Sequence, residues 1–181
     1  MFAAFVQGPI VRLVPVGVVL LALQRTIFVD LRIDGVIIPI MAIAAAATGV
    51  AGGSEGGAIA GFVFGLMFDL VEGTPLGSTA AALTIGGAVA GLLALIAADP
   101  PWWLAALFTA AGTAAGVVMV PVVRIFIGES EPFEARLGEV VAISAAAGAL
   151  LSPLLVPLGR WCLRIKKTEW KGAANESAST A

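Results

Sequence analysis

One carboxylate stands out among the residues that could do chemistry, because it ends an apolar stretch. Asp69 is followed by a turn-forming segment, Gly73-Thr74-Pro75-Leu76-Gly77. A charged carboxylate in a membrane helix is costly unless it is paired or reaches water. Glycine permits left-handed backbone and proline pre-sets a turn, so this segment can fold back toward Asp69. The sequence leaves two roles open, which can coexist: accepting hydrogen bonds from residues 73 to 79, and binding a ligand directly.

The residue types that most often carry catalysis are scarce in this chain. It contains no histidine and a single cysteine, Cys162. The commonest general base and metal ligand is therefore missing, and no internal disulfide can form. The sequence also has no phosphate-binding glycine loop, metal-ligand cluster or nucleophile elbow. We predict a protein that is not an enzyme, with no catalytic, cofactor-binding or metal-binding residues.

The composition indicates a membrane protein. Apolar types make up 60% of the 181 residues and charged types 12%, whereas soluble domains contain about half and about a quarter. A chain this short cannot hide that excess in a core. We predict one all-α transmembrane domain over residues 1–167 and a disordered, polar, cytoplasmic tail over residues 168–181. The net charge of −2 argues against nucleic acid as a partner.

The elements that must position Asp69 are apolar stretches of helical length. Six are predicted, at about residues 9–29, 36–50, 58–71, 79–97, 104–127 and 140–158. The first has no cleavage site behind it and is interpreted as an uncleaved span. The second and third are shorter than about 17 residues and flank the glycine-rich turn 52–57, so they either cross in a tilted arrangement or form a re-entrant hairpin. Ser78 or Thr79 is expected to cap the fourth helix.

Basic residues predict that both termini are cytoplasmic. Six lie on the side of the termini: Arg12, Arg160, Arg164, Lys166, Lys167 and Lys171. Four lie on the other side: Arg25, Arg32, Arg124 and Arg136. The dense cluster directly after the last span decides the orientation, because cytoplasmic segments next to helix ends carry the excess of Lys and Arg.

Glycines spaced four residues apart recur in the apolar stretches. The series comprises Gly49, Gly53, Gly57, Gly61 and Gly65, with the further pairs Gly87–Gly91 and Gly112–Gly116. Small residues at this spacing let helix backbones approach closely in lipid. Two interpretations stay open for the glycines from Gly57 onward: tight packing within the chain, or an interface for a partner helix.

The stretch around Asp69 resembles the MreD family of rod-shape-determining proteins. That family typically shows a G-x-x-x-G-L-x-x-D-L helix end and then a G-x-P-x-G turn. Both occur here in order, as Gly61-Phe62-Val63-Phe64-Gly65-Leu66-Met67-Phe68-Asp69-Leu70 and Gly73-Thr74-Pro75-Leu76-Gly77. The resemblance extends from the first span, with its Gln24, through the sixth. One departure is Ile40 after Pro39, where the family often has an acidic residue, and any function of that acid is in doubt here.

The resemblance implies a role in building the lateral cell wall. MreD-like proteins are inner-membrane proteins that associate with MreC, a single-span protein. Through MreC they link to a RodA-type glycosyltransferase, a class B penicillin-binding protein and MreB. The family fold is similar to the substrate-binding subunits of energy-coupling-factor transporters. The implied function is therefore that of a non-enzymatic membrane scaffold that controls cell shape.

Two alternatives come from different classes of protein. A vitamin-binding transporter subunit would share the fold, but it usually carries an A-x-x-x-A pattern in its first span, which Val14–Ala22 lacks. A pocket for a polar vitamin would also need several convergent polar groups. An intramembrane enzyme would need an acid–base pair or a nucleophile within the bilayer, and only Asp69 comes near that requirement.

Overall fold

The computed structural model describes residues 10–28, 32–33, 35–97, 100–128 and 136–163 of the chain. Its elements are α1 (Ile10–Leu23) with a π-helical turn (Gln24–Phe28), β1 (Arg32–Ile33), β2 (Val36–Ile37), α2 (Ile40–Glu72), α3 (Ser78–Ala94), α4 (Trp102–Ile127) and α5 (Leu137–Leu163). The fold is therefore almost entirely helical. The predicted tail 168–181 and most of the basic cluster after the last span lie outside the described residues.

Four helices in the described part of the chain are long and apolar enough to cross a membrane. They are Ile10–Ile27, Ile40–Glu72, Trp102–Ile127 and Leu137–Leu163, while Ser78–Ala94 is apolar but shorter. An all-α membrane protein is thus the class that the structure supports. The predicted stretches differ from the structure in their bounds. The second and third both lie within the segment α2, the fourth ends at Ala94 instead of Ala97, and the sixth spans Leu137–Leu163 instead of 140–158.

The segment α2 is not one straight helix, because its backbone is interrupted at Gly53. This residue has φ 78° and ψ −177°, a region of backbone space that is essentially restricted to glycine. A Cβ built on Gly57 would lie 2.6 Å from the Cα of Gly49, although the two residues would be about 12 Å apart along a straight helix. The segment therefore folds into two arms, 40–52 and 54–72, which meet tightly on either side of Gly53.

The first arm forms the centre of the bundle. Every residue from Ile40 to Val50 is buried, which is the pattern of a helix surrounded by protein on all sides. At about 20 Å this arm is shorter than the hydrocarbon core of about 30 Å. Because neighbouring helices cover it, its length does not have to match the bilayer.

The second arm and α3 pack through a regular ladder of small residues. Cβ atoms built on Gly57, Gly61 and Gly65 would collide with the backbone of Gly87, Leu83 and Ala80, respectively. Each step of about four residues along one helix is matched by a step of about four along its antiparallel neighbour. Because nothing larger than hydrogen fits at these glycines, the two backbones are in direct contact over two turns.

The start of α1 and the end of α5 lie together at one end of the bundle. The Arg12 guanidinium donates a hydrogen bond of 3.1 Å to the carbonyl of Trp161 and lies 5.2 Å from the centre of its ring. Asp69 and the turn 73–77 lie at the opposite end, where α1 ends and α3 begins. We call this opposite end the Asp69 end.

A short β-hairpin precedes α2 at the Asp69 end. Arg32 pairs with Ile37 and Ile33 with Val36 in antiparallel register, a feature that the six predicted helical stretches do not include. The sequence carries a signal for this hairpin, because an Asp-Gly dipeptide between apolar residues, here Asp34-Gly35, strongly favours a two-residue hairpin turn.

Replacing Gly53 with alanine should destabilise the protein by about 1–3 kcal/mol, because an L-residue is strained in that conformation. No atom lies within 4 Å of the position of the new methyl group, so any loss reflects the backbone alone. Gly138→Ala is the matched control, since that position is equally open and lies in a helix. Thermal unfolding in detergent measures both. Equal stability of the two variants would contradict the strained turn.

Candidate functional site

Asp69 is a buried carboxylate whose two oxygens are fully occupied by protein donors. The residue is 1% exposed. Oδ1 accepts from the Thr74 hydroxyl at 2.7 Å and from the Thr79 N–H at 3.2 Å. Oδ2 accepts from the Gly77 N–H at 2.9 Å and from the Ala80 N–H at 3.3 Å. Three of these donors belong to the segment predicted from the sequence, and Ala80 lies one residue beyond it.

These hydrogen bonds make Asp69 the N-terminal cap of α3. The N-cap position is Gly77, and no side chain of the local sequence caps the helix. The expectation that Ser78 or Thr79 caps it is therefore wrong. The carboxylate comes instead from the preceding helix and accepts from the N–H groups that a local cap would normally serve.

Each backbone N–H group at the start of α3 has a hydrogen-bond partner. The Ser78 N–H donates to the Pro75 carbonyl at 3.0 Å, and the Ala81 N–H donates to the Gly77 carbonyl at 2.9 Å. With Asp69 serving the other three, every N–H from Gly77 to Ala81 has a partner. This helix start needs protein partners, because Ser78, Thr79 and Ala80 are buried and water cannot serve their N–H groups. The negative charge also complements the positive end of the helix dipole.

The backbone of the turn holds Asp69 and α3 at the required separation. Gly73 ends α2 in the left-handed conformation, with φ 70°, and its N–H donates to the Asp69 carbonyl at 3.1 Å. Gly77 also has a positive φ, of 94°. Pro75 supplies a carbonyl acceptor to Ser78. The five residues of the predicted turn therefore run from the cap of α2 to the cap of α3. Asp69 serves both caps, with its backbone carbonyl at the end of α2 and its carboxylate at the start of α3.

The structure also brings together charges that the sequence could not pair. Arg25, in the π-helical turn after α1, lies 3.3 Å from the Glu72 carboxylate in an exposed ion pair. This contact ties α1 to the end of α2. An exposed ion pair contributes little to stability, so the buried Asp69 cluster dominates this end of the bundle.

The glycines singled out in the sequence lie inside the chain. Gly57, Gly61 and Gly65 face α3, and Gly91 faces the backbone between Gly53 and Ser54. Gly87 faces Gly57, Gly112 faces the Ala90 methyl group, and Gly116 faces Gly86. Neighbouring helices of the same chain therefore occupy the space where a partner helix would have to approach these glycines. Of the two interpretations, the structure places all seven in packing within the chain.

The Asp69 cluster can position helices but has little capacity left for a ligand. An ionised carboxylate has about four acceptor sites, and four protein donors already use them. Among the described residues, no group of three or more His, Cys, Asp or Glu side chains could hold a metal ion. The arrangement is that of a structural clamp between α2 and α3.

A second feature of the Asp69 end was not visible in the sequence. The helix ends line an open cavity of about 370 Å³, whose wall includes Gln24, Thr79, Arg124 and Ser144. These residues are far apart in sequence and carry no common pattern. Only the folded arrangement brings them together.

Comparison with known proteins adds no relative. No family model matches the chain, and no curated protein or solved structure matches it at a significant level. The class of protein rests on the fold itself, whose long apolar helices indicate an all-α, multi-pass membrane protein.

Replacing Asp69 with asparagine should lower stability by about 1–3 kcal/mol, because in either orientation the amide NH2 would face at least one backbone N–H and leave that donor unsatisfied. Glu72→Gln is the matched control. It removes a neighbouring carboxylate that is exposed and should change stability by less than about 1 kcal/mol. Unfolding in detergent, followed by circular dichroism, gives the difference. A loss for Glu72→Gln as large as that for Asp69→Asn would contradict the clamp.

Replacing Gly61 should disturb the subunit itself. A Cβ at this position would lie 2.7 Å from the Thr84 backbone nitrogen and closer still to the Leu83 carbonyl, so Gly61→Ala should lower the melting temperature and Gly61→Leu should prevent folding. Gly116→Ala is the control, because its nearest contact would be an ordinary 3.6 Å. Size-exclusion profiles and melting temperatures of the purified variants would show the difference. A well-folded Gly61→Leu would contradict the direct backbone contact.

Proposed function

We propose that this protein is a non-enzymatic membrane scaffold of the cell-wall elongation complex, similar to MreD. The observation that carries the proposal is the role of the residues that resemble the MreD pattern. Asp69, Thr74 and Gly77 form one hydrogen-bonded cluster, and Gly61 and Gly65 bring α2 onto α3. The polar and small residues of the pattern therefore hold helices together. This role favours a protein that functions by presenting a rigid surface to a partner.

The proposed topology has six membrane-embedded helical segments, with both termini in the cytoplasm of a bacterial cell. The direction of the chain supports it, since α1, the two arms of α2, α3, α4 and α5 alternate in direction. The contact between Arg12 and Trp161 brings the first and last segments to the same end. In this orientation the Asp69 end faces outward. We further propose that the bundle is similar to the substrate-binding subunits of energy-coupling-factor transporters.

The proposed partner is an MreC-like single-span protein, which would link the scaffold to a RodA-type glycosyltransferase, a class B penicillin-binding protein and MreB. Because the glycine ladder is internal, the partner helix has to bind an outward face. Each outer helix offers exposed apolar residues. Examples are Val18 on α1, Leu92 on α3, Leu107 on α4 and Leu150 on α5. These faces are available to lipid or to another transmembrane helix.

Site-specific photocrosslinking in the cells that encode the protein tests the proposal. A photoreactive phenylalanine analogue would be introduced singly at Val18, Leu92, Leu107 and Leu150. We expect the MreC-like protein to be captured from one face and not from the opposite one, because one transmembrane helix covers only part of the bundle. Depletion of the protein should also convert rod-shaped cells into round ones.

The control is the same analogue at Phe64, which is 1% exposed and should capture only segments of its own chain. Capture of no single-span protein from any of the four faces, with normal rod shape after depletion, would reject the scaffold. The vitamin-binding alternative would use the cavity at the Asp69 end, and the experiment on that cavity decides it.

A further inference from the structure

The cavity at the Asp69 end has the size of a ligand site. Its volume of about 370 Å³ falls within the range of about 300–1,000 Å³ that is usual for small-molecule pockets. It lies where α1 and α4 end and where α3 and α5 begin. Both arms of α2 also contribute, so all six helical segments form part of its wall, and the β-hairpin adds Ile37.

Two polar atoms on residues of this wall have no partner. Gln24 is 8% exposed and Ser144 is fully buried. Among the described residues, Gln24 Oε1 and Ser144 Oγ are the buried side-chain nitrogen or oxygen atoms without a hydrogen bond. A buried polar atom without a partner costs about 1–3 kcal/mol. That both should line the same cavity indicates that something entering the cavity completes their hydrogen bonds.

The remaining wall defines the chemistry of that occupant. Most of it is apolar, including Met41, Phe68, Leu83 and Val120. The Ser144 hydroxyl can donate a hydrogen bond and Gln24 Oε1 can accept one. The occupant therefore combines an apolar body with a polar head that carries both an acceptor for Ser144 and a donor for Gln24, as an acid group does.

We propose that this cavity binds a membrane amphiphile, a molecule with one acyl chain and an acid head. The chain lies against the apolar wall, and the head reaches Ser144 and Gln24. A protonated acid or a hydroxyl of the head donates to Gln24 Oε1, and another of its oxygens accepts from the Ser144 hydroxyl. A fatty acid and a monoacyl phospholipid share this chemistry. The inference does not rest on the scaffold function.

The first test measures binding of radiolabelled palmitate and of lysophosphatidic acid to the purified full-length chain in detergent. We expect saturable binding of at least one of them, at about one molecule per protein. Unlabelled methyl palmitate, which lacks the acid, and acetate, which lacks the chain, should compete poorly. The preferred probe distinguishes a carboxylate head from a phosphate head.

Two variants connect the binding to the unpartnered atoms. Ser144→Ala and Gln24→Leu should each weaken binding about tenfold, the loss expected for one hydrogen bond to a charged or strongly polar group. In the absence of the probe, Ser144→Ala should melt at the same temperature as the wild type or higher, because it removes a hydroxyl that has no partner. This second readout separates a ligand-binding hydroxyl from one that only supports the fold.

Thr109→Val is the matched control, because it removes a fully buried hydroxyl that donates to the Ala105 carbonyl and does not line the cavity. It should bind the probes as the wild type does. The proposal is overturned if neither probe binds saturably, or if all variants bind equally, as they would through partition into the micelle. It is also overturned if a water-soluble vitamin such as biotin, riboflavin or thiamine binds tightly while both amphiphiles fail.

Discussion

A helix whose first turn is buried needs protein partners for its first N–H groups, because water cannot reach them. In this chain a single carboxylate supplies them for α3. Asp69 is buried and accepts from Gly77, Thr79 and Ala80, while Thr74 fills its last acceptor site. The carboxylate is thereby spared the cost of an unpaired buried charge. The two helices are fixed to each other in the same step, since the acceptor belongs to α2 and the donors to α3.

The rest of the bundle follows from the close approach that this clamp requires. Lipid tails give helices no hydrophobic reason to associate, so contact area and close packing must hold them. Glycine provides both along the ladder from Gly65 to Gly57, and Gly53 then reverses the chain so that the first arm of α2 enters the centre. That arm is short, and it is apolar on every side. Because protein surrounds it, its length need not match the bilayer and none of its faces has to be polar.

The same helix ends that form the clamp also leave a cavity. Gln24 and Ser144 remain without partners there, although the chain satisfies every N–H at the nearby start of α3. At the start of α3 the polar groups are hydrogen-bonded within the chain, whereas two polar atoms on the neighbouring cavity wall are not. A structural cluster is completed by the chain itself, whereas a binding cavity keeps donors and acceptors for its occupant.

The sequence predicted the contacts between Asp69 and the turn that follows it, and missed most of the features that depend on packing. Asp69 and the turn 73–77 are close in sequence, so residue type and spacing sufficed to predict most of the hydrogen bonds between them. The cap of α3 was predicted from its nearest residues, Ser78 and Thr79. The sequence does not show that a carboxylate from the preceding helix accepts the hydrogen bonds of these N–H groups instead. Glycine spacing indicated close packing but could not say which helix fills the space. The cavity had no signal at all, since its wall comes from separate helix ends.

Amide hydrogen exchange of the segment 73–81 tests the central claim most directly, because it reports each N–H that Asp69 is said to accept. The account predicts slow exchange at Gly77, Thr79 and Ala80 in the wild-type protein. In an Asp69→Ala variant, which removes both oxygens, exchange should accelerate at these amides while the Ala81 amide, which donates to the Gly77 carbonyl, stays protected. Exchange at Gly77, Thr79 and Ala80 as fast as in an unstructured peptide, in the wild-type protein, would contradict it.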